Sequence, residues 1–130
     1  MLMSFFLNYS QSSEYMKYFK EGNKFDVQDL SSFVNDVYGT NSSKILNERT
    51  LKSYQNLFNT RMVYAEVPTE LLSGLTSTLD LETNNALLPH TEFNPQTFNP
   101  FYYKIDFFSN YFSVFRIAES NYVLMIIPLK

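Results

Sequence analysis

Three aromatic and β-branched runs close the chain: Tyr102–Phe107 (YYKIDF), Tyr111–Ile117 (YFSVFRI) and Tyr122–Leu129 (YVLMIIPL). Ser109-Asn110 and the stretch from Ala118 to Asn121 separate them. Strand-forming residues broken by short turn formers predict an antiparallel meander. In the first run Tyr103, Ile105 and Phe107 share a face, opposite Tyr102, Lys104 and Asp106. The second alternates Phe112, Val114 and Arg116 with Tyr111, Ser113, Phe115 and Ile117. The third is apolar on both faces, the pattern of a central strand. Its other neighbour is then residues 2–7 or 62–67, two further strand-like stretches.

Upstream the period changes from two to that of helices. Residues 14–21 place Tyr15, Met16, Tyr18 and Phe19 at helical spacing, with Ser10–Ser13 as N-cap candidates and Gly22 as the stop. Asp26 caps a second helix, Phe25 and Leu30 form its hydrophobic staple, and Val27, Leu30, Phe33, Val34 and Val37 form its stripe up to Gly39. A third and longest helix spans 43–60, with Leu46, Leu51, Tyr54, Leu57 and Phe58 on one face. Pro68 opens a short helix over 69–73 that Gly74 ends, and 75–83 alternates like an edge strand. The expected fold is α+β in two layers. N-terminal helices pack on one face of an antiparallel sheet dominated by the C-terminal three-stranded meander.

At 130 residues and 15.3 kDa the chain is expected to be one domain, residues 1–130. A loop at about 84–100 interrupts it, with Pro89, Pro95 and Pro100 and the repeat Phe-Asn-Pro at 93–95 and 98–100. Loops of this length are often functional.

Composition removes several chemistries. With no cysteine there is no disulfide, thiolate nucleophile or zinc–thiolate site. With His90 as the single histidine, a two-histidine zinc helix is impossible within one chain. Gly22, Gly39 and Gly74 are too scattered for a phosphate-cradling loop. The residues two positions before the seven lysines are Tyr15, Tyr18, Gly22, Ser42, Thr50, Tyr102 and Pro128, so an acid-x-Lys nuclease signature is absent. A net charge of −3 argues against nucleic acid as a partner. Arg116 alone among the aromatics of 111–117, with no glycine, does not make an RNA-binding sheet motif.

Two weak constellations remain. Asp80, Glu82 and Asn84 alternate like the start of a calcium loop, but Asn85 and Thr91 stand where glycine and glutamate are required. His90 with Glu92 or Asp80 offers an acid–base pair for an enzyme reading, but nothing marks a nucleophile or oxyanion hole beside it. No catalytic residue, metal ligand or cofactor is therefore assigned.

What stands out is aromatic content. Thirteen Phe, ten Tyr and thirteen Asn accompany three Gly and no Trp. That bias matches an AT-rich gene, as in phages, mobile elements and organelles. It also matches an interface, because exposed rings give contact area at low entropic cost. The candidate surface is Phe93, Phe98 and Phe101 of the loop region with Tyr102, Tyr111 and Phe115 of the sheet. The expected function is non-enzymatic protein interaction, as a small structural or accessory subunit of a viral, phage or organellar assembly. The alternative is an acidic inhibitor, an anti-defence or toxin-immunity protein that blocks a nuclease or another nucleic-acid-binding enzyme. The partners expected are other proteins, with oligomerisation an option and no membrane. Met1–Leu7 lacks a basic n-region and a cleavage site, and the longest other apolar run falls far short of the about twenty residues of a membrane helix. The expected location is intracellular: host cytoplasm, virion or organelle matrix.

Overall fold

A computed structural model describes residues 9–25, 30–39, 47–84 and 91–128. Among the described residues three helices, α1 (Tyr9–Glu21), α2 (Leu30–Tyr38) and α3 (Glu48–Thr60), precede a four-stranded mixed sheet. Its strands are β1 (Met62–Glu66), β2 (Thr76–Ser77), β3 (Ser113–Arg116) and β4 (Tyr122–Ile126), in the order β1-β4-β3-β2. The fold is α+β, as expected. None of the described helices is long and apolar enough to cross a membrane.

The apolar run of β4 takes the central place its pattern predicts. It pairs antiparallel with β1, Met62 opposite Ile126 and Glu66 opposite Tyr122. It also pairs antiparallel with β3, Ser113 opposite Ile126 and Arg116 opposite Val123. Side chains alternate across a strand. Met62, Leu124 and Ile126 therefore enter one core cluster, and Val63, Ala65, Val123 and Met125 enter another.

Each cluster has its own cover, which corrects the two-layer expectation. On one face α1 brings Tyr15 and Phe19 against Val63 and Val114. On the other, α2 and α3 bring Leu30, Val34, Leu57 and Phe58, together with Phe98, Phe101 and Tyr103. A central strand apolar on both faces requires both covers, since an open face would leave Val123 and Met125 in water.

Four further expectations change. The antiparallel sheet is mixed, because the two-residue β2 runs parallel to β3. Residues 102–107 form no meander strand. Asn99 caps a 3-10 turn at Pro100–Tyr102, accepting the Phe101 N–H, and Tyr103 then makes one isolated bridge to Thr83. The 69–73 and 75–83 segments shrink to 3-10 turns at Thr69–Leu71 and Thr78–Asp80 around β2. Helix α1 starts at Tyr9, so Ser10–Ser13 lie inside it. The strand expected at 2–7, the Asp26 cap and the start of the third helix at 43–46 lie outside the described residues.

Candidate interaction surface

The six aromatic residues expected at an interface do not share one exposed surface. Phe98 is buried, stacked on Phe25 and Tyr103 with ring centroids 5.9 and 6.0 Å away. Phe101 is buried against Tyr54, Phe58 and Phe107. Phe93 is half-buried, 4.9 Å from Tyr122 and 5.4 Å from Tyr64. Tyr102 is half-buried beside Tyr103, and Phe115 packs against the core from β3. Tyr111 alone is open to solvent, at 55%.

The described part of the long loop is ordered by this chain's own core. Its two Phe-Asn-Pro copies do different work. Asn94 closes a turn, its side-chain oxygen accepting the Gln96 N–H and its carbonyl the Phe98 N–H. Asn99 is buried and donates from Nδ2 to the Phe33 carbonyl at 2.7 Å, which fastens the loop to α2. Asn84 likewise donates its side-chain amide to the Phe101 carbonyl at 2.7 Å. In the described part of the calcium-like run, Asn84 thus holds the loop through its amide nitrogen and exposed Glu82 faces Lys104 at 3.6 Å. His90 lies outside the described residues, and Glu92 is exposed.

The surface that remains lies one turn further on, in residues 104–112. Two side-chain-to-backbone hydrogen bonds shape this segment. Asp106 Oδ1 accepts the Phe108 N–H at 3.2 Å, and Ser109 Oγ accepts the Tyr111 N–H at 3.0 Å. Such local bonds favour turns over strands. The first turn sends the neighbouring rings apart: Phe107 goes into the core, and Phe108 stays 42% exposed. Among the described residues, Phe108 and Tyr111 are the large hydrophobic side chains left exposed.

Under Phe108 lies Arg61. It follows α3 on the apolar stripe of Tyr54, Leu57 and Phe58, and it is 5% exposed. Its guanidinium carbon sits 5.5 Å from the Phe108 ring centroid, within cation–π reach. Nη1 donates to the Ile127 carbonyl at 3.1 Å, and Nε is buried without a hydrogen-bond partner. Among the described residues Lys104–Glu82 is the one ion pair, so Arg61 has no carboxylate there. Burial pushes the Arg61 guanidinium down from its ordinary pKa. Tyr54 completes the cluster, 5.2 Å from the Phe108 ring. Its hydroxyl is pushed up by burial first, then by the charges of Tyr38 and Asp106.

Phe108 and Arg61 were not singled out by composition or motif, and Tyr54 was read only as part of a helix face. Two signals were nonetheless present. Consecutive aromatics between Asp106 and Ser109-Asn110 cannot both be buried by one turn. An arginine three positions after Phe58 continues a helix's apolar stripe. No protein-family model, no curated protein and no solved structure matches the chain.

Proposed function

We propose that this is a non-enzymatic interaction protein, a small structural or accessory subunit that docks on another protein through residues 104–112. The observation that carries the reading is the placement of Phe108 and Tyr111. The two exposed rings among the described residues lie three positions apart in the one segment 104–112, on successive turns, while Phe107 goes into the core. Exposed aromatics carried by one short surface segment suit an interface anchor, whereas scattered ones are ordinary surface. The AT-rich composition favours a viral, phage or organellar assembly as the setting. The inhibitor reading draws on the net charge of −3 alone, and this surface carries an arginine in place of an acidic cluster.

The test is affinity capture from the native source with the wild-type chain and a Phe108→Ser/Tyr111→Ser double variant, at low and high salt. Stoichiometric recovery of one assembly at both salts, lost in the variant, is the expected result. Equal recovery by the variant removes 104–112 as the docking surface. Recovery of a single basic nuclease or toxin at low salt alone replaces the subunit reading with the inhibitor, because charge pairing is screened.

A further inference from the structure

We propose that Arg61, beneath Phe108, is a receptor for a carboxylate that a partner protein presents beside an apolar side chain. The inference rests on the docking reading of residues 104–112 and adds the chemistry of what docks there.

A buried cation is costly unless it is paired and hydrogen-bonded. Arg61 meets that requirement in part. One nitrogen has the Ile127 carbonyl, Nε has nothing, and no carboxylate among the described residues pairs with it. Asp106, the acid on the adjacent turn, accepts the Phe108 N–H and forms no ion pair with Arg61. The Nε edge is thus an unused donor in a desolvated place, where a charge-assisted hydrogen bond is strongest. Phe108 lies over the guanidinium and is itself 42% exposed. Rotation of that ring opens the arginine from the solvent side, and flips of exposed side chains are fast. One guanidinium balances one carboxylate, and its planar fork matches that anion. A phosphate dianion asks for more positive charge. Phe108 and Tyr54 supply the apolar flank, so the ligand is an acidic residue next to an apolar group.

The experiment follows the Arg61 Nε–H resonance by heteronuclear NMR on the intact wild-type protein. The probes are N-acetyl-phenylalanine, its amide and inorganic phosphate. The expected result is a saturable shift of that resonance with the carboxylate, with the amide at least about tenfold weaker, the factor a difference of about 1.4 kcal/mol gives. Phe108→Ala is expected to weaken the carboxylate probe severalfold while leaving the spectrum folded. An unmoved Nε–H at saturating carboxylate overturns the proposal, as does an amide that binds within about twofold of the acid. Tighter binding of phosphate than of the carboxylate overturns it in favour of a different anion. Any of these failures leaves the capture experiment intact, because docking through the two rings does not require a carboxylate.

Discussion

Replacing Thr78 with valine is expected to destabilise the fold by about 1–3 kcal/mol, although shape and volume hardly change. Thr78 is fully buried, and its Oγ1 accepts the Ala118 N–H at 2.8 Å. Ala118 has a φ of 52°, a left-handed conformation that costs a non-glycine residue about 1 kcal/mol or more. Ser77 Oγ donates to the Ala118 carbonyl at 2.9 Å, so residues 77–78 grip both backbone polar groups of Ala118. This grip shapes the turn between β3 and β4 and holds β2 beside it. Valine removes the acceptor and leaves a buried N–H unpaired, which is the source of the cost. Urea unfolding followed by circular dichroism reads it as a lower midpoint at unchanged slope. Thr97→Val, at an exposed threonine, is the control and is expected within about 0.5 kcal/mol of wild type. A Thr78→Val midpoint as close to wild type as the control refutes the claim that this hydrogen bond holds the turn.

Gly22→Ala is expected to cost about 1–3 kcal/mol, because an added Cβ sits 2.9 Å from Val63 Cγ2 and 3.0 Å from the Tyr18 carbonyl, forcing α1 off β1. An unchanged melting temperature counts against that close approach. Phe98→Ala is expected to cost about 3–5 kcal/mol and Phe93→Ala clearly less, since the first ring is buried and the second half-buried. Equal costs contradict the assignment of Phe98 to the core. Burial raises the pKa of Tyr15, Tyr38 and Tyr54 above the ordinary 10.0. The folded state then holds its phenolic protons more tightly than the unfolded chain, so stability is whole below pH 10 and falls as the pH rises past it. Denaturant midpoints across that range are expected to drop, and to drop less in Tyr54→Phe. Identical alkaline losses in the two proteins argue against a shifted Tyr54.

The central strand was legible because Tyr122–Ile126 is apolar at successive positions, and only a strand covered on both faces uses such a run. The same fact already spoke against two layers. The helix stripes were legible for α2 and α3, where Leu30, Val34 and Val37 and then Leu57 and Phe58 recur at helical spacing. Residues 102–107 misled because alternation of Tyr103, Ile105 and Phe107 resembles a strand. Local bonds decided otherwise: Asn99 starts a 3-10 turn and Asp106 starts another turn. β-propensity expresses packing on a half-buried surface, and here α3 supplies that surface through Tyr54, which packs on Phe107. The two-residue β2 has no periodicity to read. For the candidate surface, ring count alone could not separate Phe98 from Phe108. The separation depends on which turn each ring follows, and Asn94 and Asp106 set those turns.

The sheet edges narrow how a partner can attach. Addition of a peptide strand needs an open edge with unpaired N–H and C=O groups. On the outer side of β1, Asn23 exchanges backbone hydrogen bonds with Tyr64 at 2.8 and 3.0 Å. At the other edge, β2 is two residues long. Among the described residues neither offers a strand-length template, so the proposed attachment falls to side chains. A large aromatic side chain buries about 150–250 Å² in full, so covering the exposed half of each of Phe108 and Tyr111 is worth about 2–3 kcal/mol at the usual coefficient. Two rings together therefore supply about 4–6 kcal/mol, about millimolar to tens of micromolar, and the cost of association has still to be subtracted from that. A charge-assisted hydrogen bond adds about 1.5–3 kcal/mol. The rings can mark the place, but a lasting complex requires either a wide surrounding rim or a contact that the rings cannot make. Arg61, a residue 5% exposed with a spare buried Nε donor and lying beneath Phe108, is where such a contact is available without building new surface.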